Sequence, residues 1–346
     1  MGKIVFMDGI YPGPYDIHSL TRPMARIGGT EGTLLRIADK LSKTHEVYIA
    51  QRARKGLEEI QGIRYLGLDL DSLSAISSPD AVVVLRKPTL LRTAKRLFRR
   101  ARLFLWMHDQ LPRFGWLKRS AVNWLLDGVR VVGVSMYHRQ HIFERARPTL
   151  LNRLWTKARD ESDVVVQYNP IADDLTESPD YDPNKLMYLS APFKGLDKTL
   201  KVFSEVRRQI PELKLYITNP GYHPDAVLDM ENVTVLGNIA HSEVMGHLRT
   251  SLCLFCLNTY PENFGIVFAE SHALGVPVLT TPLGSAPEVV ADQEQLTYGD
   301  DVQEIVTRLR RWRSGQRPKV QRNPNFCLTK IVRDWEVVLG LLKDNS

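Results

Sequence analysis

Short apolar runs recur along the chain, and each is followed by a polar loop and then by a segment with helical spacing of apolar residues. The first such unit has an apolar run at residues 3–7, apolar positions three and four apart over residues 33–41, and a second run at residues 46–50. Apolar runs of this length are typical of buried strands, and a helix between two of them is the repeat of a parallel sheet. The pattern therefore predicts an α/β fold.

The same alternation continues to the end of the chain. Further strands are predicted at residues 81–85, 103–107, 129–135, 164–169, 185–189, 213–218, 233–236, 252–257 and 276–280, and further helices at residues 86–102, 136–146, 196–210, 241–249, 264–274 and 325–342. Residues 172–184 are rich in acidic residues and have no apolar periodicity, which indicates a linker. We therefore predict an N-terminal domain over residues 1–172, a C-terminal domain over residues 173–324 and a terminal helix within residues 325–346.

The composition agrees with a globular protein of about two domains. The chain has 346 residues, of which 25% are charged and 43% are hydrophobic. The apolar runs are far shorter than the roughly 18–20 residues that a membrane-spanning helix needs, and the run at the N-terminus is too short for a signal peptide. The sequence therefore predicts a cytoplasmic location.

The three cysteines do not indicate a metal or redox site. Cys253 and Cys256 have C-x-x-C spacing, but they fall in a predicted strand, where residues three apart point to opposite faces. Only one other cysteine, Cys327, could help to complete a metal site. We therefore interpret them as core thiols and expect no metal.

Positive charge is concentrated in the N-terminal half. Residues 1–172 contain 28 Lys and Arg against 16 Asp and Glu, a net charge of +12, whereas the rest of the chain carries −5. The predicted helix at residues 86–102 has one basic face, formed by Arg92, Lys95, Arg96, Arg99 and Arg100. Such a face is either simply solvated, or it contacts an anionic membrane surface or an anionic acceptor. Nucleic acid is not expected, because no aromatic platform or recognition motif accompanies the charge.

The stretch at residues 252–290 has the order strand, loop, helix and strand. Asn263 is a suitable N-cap for the helix, Gly275 is placed to end it, and Pro277 prevents its continuation. In parallel sheets, ligands bind outside the carboxyl ends of the strands. The loop that carries Glu262 is therefore expected at a binding edge.

The first amides of this helix are expected at the same edge. They belong to Gly265, Ile266 and Val267, and such amides attract anions, phosphate in particular. Glu270 lies eight residues after Glu262 in a nearly all-apolar helix, so it needs a partner, unless both are surface carboxylates. Two helical turns separate them by about 12 Å, whereas a retaining glycosidase needs roughly 5–5.5 Å. We expect them to contact two parts of one extended ligand.

Residues 262–270 read ENFGIVFAE, and residues 273–278 read ALGVPV. This stretch resembles the E-x7-E signature of retaining GT-B glycosyltransferases, glycosyltransferase family 4. The resemblance implies that Glu262 faces the donor sugar as a catalytic residue and that Glu270 holds the ribose of the nucleotide. It also implies that the residues which follow Glu262 bind the diphosphate of the donor, namely Asn263, Phe264, Gly265, Ile266 and Val267.

Two loops of the N-terminal half resemble the same family. Gly28 and Gly29 precede Glu31 as in its GG-x-E loop, where glycine backbone approaches the donor diphosphate. The alternative is a plain flexible loop. His108 follows a predicted strand and stands next to an acidic residue. The resemblance implies that His108 lines the sugar site, and we predict that it is the second catalytic residue.

One loop departs from the family pattern. The pattern is Arg-x4-Lys-Gly, in which both basic side chains bind the diphosphate; Lys194 and Gly195 match it, but Leu189 stands at the position of the arginine. A lysine supplies a point charge without the bidentate fork of an arginine. Another arginine could substitute in space, donor affinity could be lower, or the chain could be a catalytically weak paralogue.

The resemblance covers most of the chain and implies a GT-B fold, in which two Rossmann-like, doubly wound α/β domains face a cleft. The N-terminal domain would lie on the acceptor side, the C-terminal domain would bind the nucleotide sugar, and the terminal helix would pack back on the first domain. The implied activity is that of a retaining, metal-independent hexosyltransferase that uses no cofactor besides its donor.

The implied donor is a UDP- or GDP-linked sugar, and the implied acceptor is a glycan or a lipid-linked molecule of glycan biosynthesis. Peripheral contact with an anionic membrane is a further hypothesis that rests on the basic helix. The alternative function is that of a non-catalytic GT-B paralogue that binds a sugar nucleotide without turnover.

Overall fold

The structure is a computed structural model, and it describes residues 1–22, 27–111, 128–146, 163–178, 180–218 and 231–342. All site residues predicted from the sequence lie within these ranges, whereas residue 179 of the predicted linker lies outside them. The chain divides into two compact units, which are described separately below. Unit 1 comprises Met1–Ser19, Ile27–Pro170 and Leu328–Ser346, and unit 2 comprises Leu20–Arg26 and Ile171–Cys327.

Unit 1 is built on an eight-stranded sheet. Its strands are β1 (Lys3–Asp8), β2 (Glu46–Gln51), β3 (Leu57–Ile60), β4 (Ile63–Gly67), β5 (Ala81–Leu85), β6 (Arg102–Trp106), β7 (Val129–Gly133) and β8 (Val164–Val166). Their spatial order is β3-β4-β2-β1-β5-β6-β7-β8, and all neighbours are parallel except β3 and β4. The central strands β1 and β5 are almost completely buried, as apolar runs in a parallel sheet require.

The order of the strands reverses beside β1. From β1 the chain adds β2 and β4 on one side and later β5, β6 and β7 on the other. Because parallel crossovers are right-handed, this reversal places the connecting helices on opposite faces of the sheet. The helices of unit 1 are α1 (Gly29–Leu41), α2 (Leu70–Ser74), α3 (Leu90–Leu97), α4 (Met136–Ala146) and, from the C-terminal end of the chain, α10 (Leu328–Val338).

Unit 2 is built on a five-stranded parallel sheet with the same kind of reversal. Its strands are β9 (Asp182–Tyr188), β10 (Lys214–Thr218), β11 (Val233–Gly237), β12 (Ser251–Cys256) and β13 (Val278–Thr280), in the order β11-β10-β9-β12-β13. Its helices are α5 (Leu196–Arg207), α6 (His241–Arg249), α7 (Ile266–Ala273), α8 (Ala286–Val290) and α9 (Val302–Arg313). The two sheets confirm the prediction of an α/β fold with two Rossmann-like, doubly wound halves.

The helix near the C-terminus belongs to unit 1 and packs against α1. Trp335 is completely buried, and its ring contacts that of Trp106 edge to face, with 4.8 Å between the ring centroids. His45 Nε2 lies 2.9 Å from Glu336 Oε1, and Arg102 Nη1 donates to the carbonyl of Gly340. These contacts join the C-terminal helix and the turn after it to β6 and to the residue before β2.

Several element predictions differ from the structure. The terminal helix was predicted over residues 325–342 but spans Leu328–Val338. The basic helix was predicted over residues 86–102, but α3 ends at Leu97, and Phe98 leaves helical geometry at its C-terminus. Arg99 and Arg100 lie in the turn that follows. The linker was predicted to extend to residue 184, but β9 begins at Asp182, because pairing with β12 extends the strand beyond its apolar part. The strands β3 and β4 were not predicted. β3 is an exposed edge strand without apolar alternation, whereas β4 is mostly buried but forms only a short run that Arg64 interrupts.

Candidate active site

In unit 2, the strand order reverses between β9 and β12, and the loops that follow these two strands lie together. Gly195 ends the loop after β9 with φ +136°, and a Cβ atom on it would lie 2.5 Å from the carbonyl oxygen of Leu257. The amide of Thr259 donates to the carbonyl of Lys194 over 2.8 Å. The absence of a side chain at Gly195 thus lets the two loops meet at the edge where parallel sheets bind ligands.

Lys194 and Glu262, both predicted site residues, are brought into direct contact at this edge. Lys194 Nζ lies 2.9 Å from both carboxylate oxygens of Glu262. The side chains are 26% and 14% exposed, so the pair is accessible from solvent. In this state the ammonium and the carboxylate largely neutralise each other, and a ligand phosphate would have to compete with Glu262 for Lys194.

The backbone of Glu262 is fixed by the loop after β13. The amide of Ser285 donates to the carbonyl of Glu262 over 2.9 Å, and Glu262 forms an isolated parallel bridge with Gly284. Gly284 has φ +65°, and a Cβ atom there would lie 2.3 Å from the carbonyl oxygen of Glu262. The position of the carboxylate is therefore set by two loops that the sequence keeps more than twenty residues apart.

The helix after this loop starts differently from the prediction. Asn263 was predicted as the N-cap, but Gly265 occupies that position in left-handed conformation, at φ +72° and ψ +62°. Asn263 and Phe264 are buried instead, and the Phe264 ring packs edge to face on Phe326 with centroids 5.0 Å apart. Because Gly265 has no side chain with which to cap α7, the first amides of the helix are left for other acceptors.

Glu270 lies inside α7 and has the partner that its burial requires. It is 4% exposed, and its Oε1 atom lies 2.9 Å from Nε2 of His241, the first residue of α6. The sequence predicted that a partner was needed but not which residue supplies it. The sequence analysis did not identify His241 as a functional candidate. Its position as the first residue of the helix predicted at residues 241–249 was the available signal.

Leu189, at the position of the family arginine, lies in the apolar core with 6% of its surface exposed. A buried leucine adds no charge to the edge where Lys194 lies. Of the two basic residues in the family pattern, this chain therefore retains the lysine alone.

In unit 1, the predicted glycine loop lies at the reversal point between β1 and β5. Gly28 is the N-cap of α1, and its amide donates to the carboxylate of Glu31 over 3.1 Å, which is the half of a capping box that a glycine can form. Gly28 has an ordinary φ of −78°, so the glycine is not needed here for its conformation. Its lack of a side chain leaves the amide end of a 13-residue helix open to a ligand.

The side chain of Arg86, which follows β5, forms an ion pair with Glu31. The ion pair is short, and Arg86 Nη2 also lies 3.8 Å from Oδ1 of Asp8 at the end of β1. Burial raises the pKa of Glu31 above its ordinary value, although the charge of Arg86 acts in the opposite direction. Tyr15 completes the cluster by donating its hydroxyl to Asp8 over 2.8 Å.

Arg86 lies at the start of the stretch predicted as a basic helix, but its side chain points inward. Its side chain is 11% exposed, and its backbone has φ +54°, a conformation that costs a non-glycine residue of the order of 1 kcal/mol or more. Its amide donates to the carbonyl of Trp106 over 2.9 Å. These contacts orient the guanidinium toward Glu31 and, through it, toward the glycine loop.

His108 follows β6 and stacks on the core of unit 1. Its ring lies 4.6 Å from that of Trp106, measured between centroids. Burial, together with the positive charge of Arg86, holds the pKa of His108 well below its ordinary value. The imidazole is therefore neutral at neutral pH and can act as a hydrogen-bond donor and acceptor at the carboxyl edge of the sheet.

The loop that carries His108 is anchored by His138 of α4, a residue that the sequence analysis did not single out. His138 is completely buried; its Nδ1 atom accepts from the amide of Val134 over 3.3 Å, and its Nε2 atom donates to the carbonyl of Asp109 over 3.2 Å. The neutral ring satisfies both contacts, whereas a proton on Nδ1 would oppose the Val134 amide. Burial accordingly lowers the pKa of His138 to about 4.

This arrangement predicts that unit 1 loses stability in mild acid. The pKa of His138 lies below its unfolded value, so between about pH 6.5 and pH 4 the unfolded chain binds a proton that the folded chain does not, which costs about 3 kcal/mol over that window. We expect the hydrogen-exchange protection of α4 to fall as the pH is lowered through this window. In the His138→Gln variant, the slope of the free energy of unfolding against pH should fall by the equivalent of about one proton. An unchanged slope would contradict the assignment of this acid sensitivity to His138.

Among the residues that the structure describes, no group of three or more His, Cys, Asp or Glu side chains is placed to hold a metal ion. Cys253 and Cys256 are buried free thiols, and burial raises the pKa of Cys256 to about 12. These thiols belong to the core of unit 2, and independence from metal stays a prediction.

Solved structures resemble this chain over nearly its whole length. The Anabaena protein HepE, solved with UDP and glucose, aligns with 99% of this chain and all of that chain at a TM-score of 0.63 and 15% identity. The alpha,alpha-trehalose 6-phosphate synthase of Burkholderia multivorans aligns with 99% of both chains at a TM-score of 0.66 and 11% identity. The chain has the GT-B fold of glycosyltransferases. At such low identity the likeness extends to the fold alone.

Sequence comparisons add a domain assignment within this GT-B chain. Residues 182–325 match the family described as glycosyl transferases group 1, a stretch that includes Lys194, Glu262 and Glu270. A GDP-mannose-dependent alpha-(1-6)-phosphatidylinositol monomannoside mannosyltransferase from Mycolicibacterium smegmatis is 30% identical over 131 residues, which is 34% of each protein. The chain thus matches only about a third of the length of such curated relatives.

One group of exposed basic residues of the GT-B chain lies on and after α3. It comprises Arg92, Arg96, Arg99 and Arg100. Lys87 and Arg102, at the two ends of the same stretch, donate to the carbonyls of Gly9 and Gly340. In the described part of the chain, no helix is both long and apolar enough to cross a membrane.

Proposed function

We propose that this protein transfers a sugar from a UDP- or GDP-linked donor to a glycan or lipid-linked acceptor, with retention of anomeric configuration and without a metal. The observation that carries the proposal is the arrangement at the carboxyl edge of the unit 2 sheet. There Lys194, from the loop after β9, pairs with Glu262. Along the chain, Glu262 is followed by the uncapped amides of α7 and then by the buried Glu270.

Each group in this row suits a different part of a nucleoside-diphosphate sugar. The α7 amides at Gly265, Ile266 and Val267 attract the diphosphate, and Lys194 neutralises its charge as a point cation. Glu262 faces the sugar, where its carboxylate stabilises positive charge that develops at the anomeric carbon. Glu270 accepts hydrogen bonds from ribose hydroxyls, and His241 holds one of its oxygen atoms.

Unit 1 has groups of its own that suit an anionic ligand and a sugar. The open start of α1 at Gly28 and Gly29 offers further amides to an anionic ligand. His108 has a depressed pKa, so it is neutral and can exchange hydrogen bonds with sugar hydroxyls on the acceptor side. The acceptor class is supported by the relative from Mycolicibacterium smegmatis, which is named a phosphatidylinositol monomannoside mannosyltransferase.

The test of this function is a thermal-shift titration with UDP, GDP, ADP, CMP and dTDP in the absence of metal. A nucleotide that binds the folded chain raises its apparent stability, by about 2.7 kcal/mol at a concentration of one hundred times Kd. We expect one nucleoside diphosphate to raise the melting temperature of the native chain and to do so less in the Lys194→Ala variant. A native chain that responds to none of them would contradict the proposed donor site.

The buried Leu189 favours a second candidate, a paralogue that binds a sugar nucleotide without turning it over. The two candidates differ in product release. A transferase liberates nucleoside diphosphate from its nucleotide sugar, slowly to water and faster to an acceptor, whereas a binding protein shows the thermal shift without release.

A lipid-linked acceptor would bring the exposed basic residues of unit 1 close to an anionic surface. Each such residue contributes about 1 kcal/mol to binding near the membrane. Replacing Arg92, Arg96, Arg99 and Arg100 with glutamine should therefore weaken binding to phosphatidylglycerol vesicles by at least about tenfold. Cosedimentation at low and high salt measures this binding.

The matched control removes the same charge from unit 2 by replacing four exposed basic residues with glutamine, namely Lys201, Arg208, Arg249 and Arg310. This variant should bind vesicles nearly as well as the native chain. Equal binding by both quadruple variants, or by the unit 1 variant and the native chain, would contradict membrane contact through α3.

A further inference from the structure

Two aromatic side chains at the rim of the unit 2 site are exposed and have no role in the function proposed above. Phe193 is 60% exposed and Tyr260 is 42% exposed. Their rings contact each other edge to face, with 6.0 Å between the centroids and 79° between the planes. Aromatic side chains usually bury most of their surface, and an exposed contiguous pair beside a ligand site is typical of a binding surface.

The pair lies on a preorganised part of the molecule. Phe193 directly precedes Lys194, and Tyr260 lies two residues before Glu262. The loops that carry the rings are joined by the hydrogen bond from the Thr259 amide to the Lys194 carbonyl and by the ion pair of Lys194 with Glu262. Backbone, charged and aromatic contacts thus fix the two rings beside the carboxylate, so a ligand has little to reorder when it binds.

Exposure increases along the loop from its helix end to its aromatic end. Phe264, next to the start of α7, is 2% exposed, Asn263 is 9% exposed, and the exposed fraction rises to 14% for the Glu262 side chain and 42% for Tyr260. If the donor extends from the α7 amides to Glu262, as the proposed function holds, the aromatic pair lies beyond the donor sugar. The group that comes next to Glu262 from solvent is then the acceptor.

We propose that Phe193 and Tyr260 form a platform for a pyranose ring of the acceptor. One face of a pyranose carries C–H groups, and these pack on the electron-rich face of an aromatic ring. The hydroxyl groups at the edge of the sugar remain free to hydrogen-bond with the Tyr260 hydroxyl and with Glu262. Because Lys194 and Glu262 largely neutralise each other, the platform suits an uncharged ring rather than a lipid phosphate.

The test uses saturation-transfer NMR with the methyl glycosides of mannose, glucose, galactose and N-acetylglucosamine, recorded with and without the nucleoside diphosphates of the thermal-shift series. We expect at least one glycoside to bind the native chain. Phe193→Ala and Tyr260→Ala should each weaken that binding about fivefold or more, on the scale of a lost aromatic contact. Tyr260→Phe, which keeps the ring, should retain most of it.

The matched control is Tyr298→Ala, which removes another exposed tyrosine of unit 2, one whose backbone carbonyl accepts from Lys198. This variant should bind the glycoside as the native chain does. All four variants should keep the nucleotide-dependent thermal shift, because the platform lies outside the groups assigned to the nucleotide.

The outcomes separate the platform from the function on which it rests. Binding of a glycoside that survives both alanine variants, or no glycoside binding to the native chain, overturns the platform. If the alanine variants lose binding to phosphatidylglycerol vesicles but keep glycoside binding, the aromatic pair binds lipid instead. That result also overturns the platform. A native chain without a nucleotide shift, but with glycoside binding that needs Phe193, contradicts the proposed transfer and leaves the sugar platform standing.

Discussion

Replacing Glu262 with glutamine is expected to lower the release of nucleoside diphosphate from the nucleotide sugar by roughly 10²- to 10³-fold. The side chains are nearly identical in shape, so the change removes the charge that the proposed mechanism places at the donor sugar. Loss of one preorganised group that stabilises transition-state charge costs this much in other enzymes. The measurement is steady-state release from UDP- or GDP-linked sugars, with the donor chosen by the thermal-shift result.

The same substitution, Glu262→Gln, should increase the affinity for the nucleoside diphosphate while it lowers turnover. In the ligand-free structure, both oxygen atoms of Glu262 hold Lys194 Nζ at 2.9 Å, so a diphosphate must displace the carboxylate to reach the lysine. An accessible ion pair contributes up to about 1 kcal/mol, so its removal should tighten binding of the nucleoside diphosphate by up to about fivefold. Turnover and nucleotide affinity are thereby expected to separate.

The control for this prediction is Glu231→Gln. Glu231 is an exposed carboxylate of unit 2 that pairs with Arg207 over 2.7 Å. Its replacement should change neither turnover nor nucleotide affinity. If Glu262→Gln retains native turnover, Glu262 is not the catalytic group; if it loses nucleotide binding together with turnover, the carboxylate is needed to build the site.

Replacing Arg86 with methionine is expected to destabilise unit 1 by about 3–5 kcal/mol. The change keeps the length of the side chain but leaves Glu31 buried without its cation, and breaking one side of a buried ion pair has costs of this size. Burial already raises the pKa of the Glu31 carboxyl group, and the loss of the positive charge of Arg86 should raise that pKa further. Its hydrogen bond from the Gly28 amide then weakens.

Hydrogen exchange monitored by mass spectrometry is suited to this test, because it reports on each unit separately. Amides of β1 and β5 should lose protection by at least about a hundredfold in Arg86→Met. Adding Glu31→Gln should recover part of the loss, since the double variant no longer buries an unpaired charge. Independent, additive effects of the two substitutions would contradict the coupling between Arg86 and Glu31.

Arg64→Met serves as the control for a surface ion pair. Arg64 bonds to the carboxylates of Glu46 and Glu59 on the edge of the same sheet, and its side chain is 34% exposed. Exposed pairs contribute about 0–1 kcal/mol, so protection should change by less than tenfold. The comparison separates the consequence of burial from the loss of an arginine as such.

The sequence contained the elements that periodicity encodes. The strand at residues 81–85 was predicted with the bounds it has in the structure, and α4 and α6 were also predicted with their observed bounds. Five consecutive apolar residues fit a strand buried on both faces, and helical spacing fits a helix packed on one side. The edge strand β3 escaped because its exposed residues carry no such pattern.

Chemistry within one loop and helix could also be predicted, because residues close in sequence are close in space. The order of Glu262, the first amides of α7 and Glu270 follows from a loop that leads directly into a helix. The predicted separation of two full helical turns was wrong, because α7 begins only at Ile266 and Glu262 lies in the loop before it. The need of Glu270 for a partner followed from the apolar residues around it. The N-cap was predicted wrongly because Asn263 is a good cap in isolation, whereas packing of Phe264 on Phe326 moves the start of the helix to Gly265.

The sequence by itself thus determined the two Rossmann-like halves and most of their strands, and the roles it gives to residues 262–270 stay predictions. Only the tertiary structure decided that Arg86 turns inward to Glu31, that Lys194 holds Glu262, and that His241 pairs with Glu270. These partners are 55, 68 and 29 residues apart in sequence. They meet because the strand order reverses beside β1 and β9, and periodicity along one chain carries no information about which strands become neighbours.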